Sequence, residues 1–196
     1  MTLGALANAL RKHRAVPLPL QAIPPSLLPL GGLAHAAVLV PLFERGGEVR
    51  VLLTRRPMSM RQHAGQISFP GGRVEKGETA LEAALREARE EIGLEEEQVE
   101  VVGELSETLV QRTAFRLTPW VATVPYPYAF VRAPEEVEEL LEVPLSSLAS
   151  PGAHEVSVRE VFGLQLSDHR FVFGTEVIWG ATARVLAELM QLWRGV

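Results

Sequence analysis

The chain has 196 residues, 47% of them apolar and 22% charged, which suits one ordinary domain with a real core. A net charge of -5 argues against a dedicated nucleic-acid binder, whose grip on a phosphate backbone needs clustered positive charge. It leaves room for a local basic pocket that takes a small anion. The absence of cysteine excludes disulfides, thiolate catalysis and cysteine metal sites.

The N-terminus, MTLGALANALRKHRAV, places small and apolar residues ahead of its basic cluster, the reverse of a secretory signal. No apolar run reaches the ~18 residues of a membrane span, so the expectation is a cytoplasmic protein with neither membrane nor nucleic acid as partner. Leu3, Leu6 and Leu10 predict a short amphipathic helix over residues 2–14. Prolines 17, 19, 24, 25 and 29 then impose an extended connector. Residues 1–30 are read as a helix and proline-rich arm, candidates for a homodimer interface, and residues 31–196 as the main domain.

Two strands, Val38–Leu42 and Val49–Thr54, flank a turn at Arg45-Gly46-Gly47-Glu48. A loop over residues 57–72 leads to a highly charged helix. Val99–Leu105 and Arg116–Val124 read as strands, and Ala133–Leu141 as a short helix with Pro134 in its first turn. A hairpin of Val158–Leu164 and His169–Phe173 precedes a helix from Glu176 to Leu192. Strands and helices alternate without repeats, which predicts one mixed α/β domain.

The charged helix carries the chemistry. Thr79 followed by Glu82 is a capping-box pattern, and Gly93 suits the left-handed residue just past the helix end. Leu81, Ala84, Leu85, Ala88 and Ile92 form one apolar stripe that must face a core. Glu87, Glu90 and Glu91 stand at i, i+3 and i+4, so they project from neighbouring points of one face and repel each other. Arg86, one turn from both Glu82 and Glu90, can relieve that repulsion and hold a carboxylate in place. A glutamate-rich helix is ordinarily a solvated face. A hard divalent cation such as Mg²⁺ makes such a cluster useful, and the preceding glycine pair lets backbone approach a ligand closely.

The combined spacing is more specific. Gly72, five residues, Glu78, seven residues, then Arg86-Glu87-Ala88-Arg89-Glu90-Glu91-Ile92-Gly93-Leu94 resembles the Nudix box, with Ala88 smaller than the usual aliphatic residue. The resemblance implies a Nudix-type α/β/α sandwich around a mixed sheet. It implies a metal-dependent hydrolase, using Mg²⁺ or Mn²⁺, in which water attacks a phosphorus of a nucleoside diphosphate derivative. Glu87, Glu90 and Glu91 would hold metal, with the Gly72 carbonyl as a further candidate ligand. Arg86 would orient the glutamates and Glu78 would be structural. Glu87, Glu90 or a loop residue such as Glu136 would be the general base.

Residues 52–72, LLTRRPMSMRQHAGQISFPGG, resemble the signature of the coenzyme A diphosphatase branch at Leu52, Leu53, Thr54, Arg56, Arg61, Gly65, Phe69, Pro70, Gly71 and Gly72, with Pro57 as a departure. Residues 178–186, IWGATARVL, are similar to a helix start of that branch. The implied products are 3′,5′-ADP and 4′-phosphopantetheine. Arg56 and Arg61, with Arg73 nearby, would contact phosphate as bidentate donors, and Gly71 and Gly72 would bring backbone to the substrate. His63 is read as a loop residue, Trp179 as core and Phe69 as buried beneath the glycine loop. Two rival readings are a Nudix diphosphatase for ADP-ribose, NADH or another nucleotide, and a non-catalytic Nudix-fold regulator. The second would be expected to lack one of the three glutamates.

Overall fold

A computed structural model describes residues 2–19, 32–60, 63–110, 115–161 and 164–195. Most of the proline-rich connector, and Arg61 with it, lies outside them. The centre is β1 (Ala34–Arg45), a strand buried on both faces. Its alternation decides the layers. Val38, Val40 and Leu42 point into one core, and Ala37, Leu39 and Phe43 into another.

The turn at Gly46-Gly47 returns the chain as β2 (Glu48–Arg55), antiparallel to β1 with Arg45 opposite Glu48. The segment read as a loop, 57–72, contains the two-residue strand β3 (Ile67–Ser68) on β2. It then leads into β4 (Gly71–Arg73), which lies on β1 with Ala37 opposite Gly72. Beyond helix α2 (Ala80–Ile92) come β5 (Glu100–Glu104), the three-residue β6 (Thr108–Val110), which sequence patterning misses, and β7 (Phe115–Thr123). The β7 strand runs parallel to β1 over its whole length, whereas β5 and β6 pair antiparallel with it. The sheet is therefore mixed.

Residues 133–141 are not a helix. Only a turn forms at 134–136, and Glu139–Pro144 is strand β8, antiparallel to β2. Helix propensity in the glutamate-rich run loses to pairing. Val131 and Ala133 donate to the carbonyls of Ile92 and Glu91 at 3.0 and 2.9 Å, and Glu138 donates to Arg55 at 2.8 Å. The chain is thus drawn straight along β2, with Leu141 and Val143 buried.

After the single turn α3 (Leu145–Leu148), β9 (His154–Val161) and β10 (Leu164–Phe173) pair with Val161 opposite Leu164. Leu164 therefore belongs to the second strand, not the first. The chain from Glu176 is also not yet helical: β11 (Glu176–Trp179) completes a three-stranded sheet before α4 (Gly180–Arg194) begins. Its alternation puts Ile178 inside at 1% exposure and turns Trp179 outward at 47%. The expectation that Trp179 is core fails for that reason. Arg55 joins the two sheets, donating to Glu139 at 3.0 Å and Glu176 at 2.7 Å.

Helix α2 covers one face of the main sheet through Ala83, Ala84, Leu85, Ala88 and Ile92. Helix α1 (Leu3–Lys12) and α4 cover the other face, with Leu6, Leu10, Leu186 and Leu189 fully buried. Each such leucine contributes about 1.5–3 kcal/mol by leaving water. The apolar stripe of α1, a candidate dimer surface from sequence, is thus spent on the chain's own core. Among the described residues no helix is long and apolar enough to cross a membrane.

Candidate active site

Helix α2 starts and stops as its sequence dictates. The Thr79 hydroxyl accepts from Glu82 N at 3.2 Å while the Glu82 carboxylate accepts from Thr79 N at 2.7 Å, which satisfies two amides of the first turn. At the other end Gly93 takes φ +64° and closes the helix onto Ala88 and Arg89. With Ala88 and Ile92 turned into the core, the opposite flank carries the carboxylates.

Glu91 is 3% exposed, and its Oε2 accepts from Gly71 N at 3.2 Å. Burial pushes its carboxyl up to about 8, against the opposing pull of Arg56 and the Gly71 amide, and Glu87 and Glu136 push it further. Burial likewise raises Glu87, opposed by Arg86 and reinforced by Glu90 and Glu136. Glu87, Glu91 and Glu136 each offer a carboxylate oxygen, and the three oxygens lie within 4.8 Å of one another. Glu136 arrives from the turn after Ala133, whose amide is bonded to the Glu91 carbonyl, and the fully buried Val137 anchors it. Its position depends on pairing between distant segments; the sequence names it as a candidate base without placing it.

Glu90 stands beside this triple, with half its side chain exposed and its Oε2 accepting from Arg86 at 3.2 Å. Arg86 is the organiser of the helix face. It donates to both oxygens of Glu78 at 2.9 and 3.2 Å, to Glu87 at 2.9 Å and to the Arg73 carbonyl at 3.0 Å. These contacts keep it charged and hold the Glu78 carboxyl below its ordinary value. Arg86 does not reach for Glu82, which is occupied in the capping box; Glu78 takes that place.

The glycine pair shapes the floor. A Cβ on Gly71 would collide with the backbone of Ala37 and Val38, and a Cβ on Gly72 would collide with the Glu87 carboxylate. Phe69 is buried just ahead of them, and Thr182 of α4 donates to the Ile67 carbonyl at 3.2 Å. The IWGATA run therefore buttresses the strand that leads into the floor. His63 sits in the loop at φ +58°, bonded to Gln66 at 2.6 Å. Arg56 N and Gly65 N close that loop on Gln66 O and Arg56 O at 3.0 and 3.1 Å.

A cleft of about 580 Å³ is lined by Glu87, Glu91 and Glu136 together with Gly71, Gly72 and Arg56. Two carboxylates raised by burial, Glu87 and Glu91, with the exposed Glu136 beside them, fit a hard divalent cation, which replaces a proton and takes oxygen ligands. A guanidinium in the wall fits phosphate. The structure brings Arg56, Gly71, Gly72, Glu87 and Glu91 to one cavity and leaves Glu90 at its side.

The NUDIX domain family model matches residues 33–167. A Photorhabdus laumondii protein named as an uncharacterized Nudix hydrolase, NudL, is 37% identical over 161 residues, covering 80% of this chain and 83% of that one. Among solved structures, a MutT/nudix family protein from Enterococcus faecalis covers 100% of this chain and 70% of that chain, with a TM-score of 0.55 and 15% identity. An Ap4A hydrolase from C. elegans, in a binary complex, covers 58% of this chain and 82% of that chain at TM-score 0.50 and 24% identity. These two likenesses speak for the fold alone, a mixed sheet with flanking helices. The family match and the NudL relative go further, and on them the chain belongs to the Nudix family as a Nudix hydrolase, of the class that acts on nucleoside diphosphate derivatives.

Proposed function

We propose that this Nudix hydrolase is a coenzyme A diphosphatase, which cleaves the diphosphate of coenzyme A or its derivatives to 3′,5′-ADP and 4′-phosphopantetheine. The observation that carries the reading is that Arg56, last residue of the Leu-Leu-Thr-x-Arg run, lines the same cleft as Glu87, Glu91 and Glu136. The run that resembles the coenzyme A branch thus contributes a cation to the cavity that holds the acidic cluster. Arg61 of the same run is proposed as a second phosphate contact and lies outside the described residues.

Glu87 and Glu91 would hold Mg²⁺ or Mn²⁺, joined by Glu90, one helical turn from Glu87 and bound to Arg86. Bound there, the ion would supply neutralisation of phosphate charge and acidification of the attacking water. Arg86 keeps the Glu87 carboxylate aimed at the cleft. Arg56 fixes the diphosphate as a two-pronged donor. Gly71 and Gly72, which line the cleft, would bring backbone to the substrate. Glu136, exposed and reaching the cluster from the facing turn, takes the proton of the attacking water. The water oxygen would bond to one phosphorus as the bridging P–O bond breaks, the leaving phosphate departing as a phosphomonoester, and the proton taken by Glu136 would pass to solvent.

The test is a product assay with Mg²⁺ and with Mn²⁺ on coenzyme A, ADP-ribose, NADH and a dinucleoside polyphosphate, with Glu91→Gln as the blank. Release of 3′,5′-ADP from coenzyme A well ahead of the other products is expected. Faster cleavage of ADP-ribose or NADH would overturn the substrate assignment and leave the hydrolase intact.

A further inference from the structure

Next to the acidic cleft lies a second hollow, of about 530 Å³, lined by His35, Arg73, Glu75 and Lys76 among others. Arg73 belongs to both cavities. It is the last residue of β4, opposite Ala36 of β1, so its side chain leaves the strand on the face opposite to that of Gly72. Its guanidinium lies over the Phe115 ring, 5.1 Å from the centroid, which holds the cation without neutralising it. Its carbonyl is fixed by Arg86 at 3.0 Å.

Among the described residues Arg73 has no carboxylate partner. This is notable in a chain of net charge -5, where Arg45, Arg50, Arg55, Arg86 and Arg170 all have one. Of the two titratable neighbours, His35 is spoken for. Its Nδ1 accepts from Arg116 at 3.2 Å and its Nε2 faces the Thr118 hydroxyl at 2.9 Å, so it forms a neutral wall. Glu75 is exposed and subtracts one charge, leaving Arg73 and Lys76 in excess.

We infer that the hollow at Arg73 and Lys76 is a phosphomonoester subsite, holding a second phosphate of the substrate away from the diphosphate that is cleaved. The inference rests on the coenzyme A reading, whose substrate carries such a group as its 3′-phosphate. It assigns discrimination between phosphorylated and dephosphorylated forms of the nucleotide to Arg73 and Lys76, and leaves diphosphate binding to Arg56. Held over Phe115, the guanidinium can give two parallel hydrogen bonds to one phosphate.

The experiment compares kcat/KM for coenzyme A and 3′-dephospho-coenzyme A in the wild type, Arg73→Ala, Lys76→Ala, the double variant and Arg73→Lys. In parallel, calorimetry compares 3′,5′-ADP with 5′-AMP on the same proteins. The wild type is expected to prefer the 3′-phosphorylated member of each pair about tenfold or more, the scale of a charge-assisted contact. The double variant should lose most of that preference, chiefly in KM, and Arg73→Lys should recover part of it. An undiminished preference in the double variant, or equal wild-type binding of 3′,5′-ADP and 5′-AMP, would overturn the subsite. Failure of coenzyme A as a substrate while calorimetry still separates the two nucleotides would sink the coenzyme A reading and spare the subsite.

Discussion

The carboxylate of Glu87 occupies the space that a side chain at Gly72 would need. A metal-site candidate on a helix and a glycine on a strand thus interlock, and the helix can approach the strand only because residue 72 has no Cβ. Gly72→Ala is expected to push Glu87 off its position with little effect on the fold, since the clash is with the end of a side chain. We expect kcat to fall by about 100-fold or more, the scale for misplacing a reacting group by an ångström. The melting temperature should drop only a few degrees. Steady-state kinetics and a thermal melt check both, and retained activity would show that Glu87 works from more than one place.

Arg86 holds Glu78, Glu87 and Glu90 at once and also bonds the Arg73 carbonyl. A lysine carries the charge but cannot supply five donors in a plane. Arg86→Lys should therefore cost activity nearly as much as Arg86→Ala, about 10- to 100-fold as expected for a residue supporting metal ligands. Metal affinity should fall alongside. If Arg86→Lys were indistinguishable from wild type, the contribution of Arg86 would be charge alone.

These interlocks were partly legible in the sequence. The Thr79–Glu82 box and Gly93 are local, since caps depend on residues three or four apart, and so the helix and the side-by-side Glu87 and Glu91 could be read directly. The central strands followed from their apolar runs. What could not be read depends on distant pairing. Glu136 is named from sequence as a candidate base, but its route into the cluster, with Ala133 bonding Glu91 and Glu138 bonding Arg55, overrules the helical character of PEEVEELL and was not legible. Trp179 faces out because β11 pairs with β10 in a register that favours Ile178 for the interior. Arg55, an unspecified position within Leu-Leu-Thr-x-Arg, ties two sheets together through glutamates 84 and 121 residues away.

Burial of Glu91 makes a prediction about stability. Its carboxyl is raised from 4.5 to about 8, so the folded chain binds a proton that the unfolded chain releases. That contribution is fully present below about 4.5 and is lost as pH rises through 8. Glu87 shifts the same way. The lowered carboxyls of Glu78, Glu82 and Glu176 act in the opposite sense and only in acid. In the presence of chelator, the wild type should thus melt at lower temperature at pH 9 than at pH 6, while Glu91→Gln should be flatter. At pH 9 the variant should be the more stable by on the order of 2 kcal/mol. Adding Mn²⁺ should raise the melting temperature of the wild type far more than that of Glu91→Gln. Equal pH dependence in the two metal-free proteins would show that Glu91 does not carry the shift.

Glu136 and Glu91 enter the same cluster from opposite sides, and their replacement should separate two roles. Glu91 is buried and bonded to Gly71 N, as a group fixed to hold an ion. Glu136 is exposed on a turn and free to move a proton outward. Glu136→Gln should lower kcat by about 100- to 10,000-fold, the usual worth of a general base, with Mn²⁺ affinity within a few-fold of wild type. Glu91→Gln should instead weaken Mn²⁺ binding together with kcat. Titration of Mn²⁺ by its electron paramagnetic resonance signal reads the affinity directly. If Glu136→Gln lost metal as Glu91→Gln does, Glu136 would belong among the ligands, and the proton would have to be taken by Glu87 or Glu90 on α2.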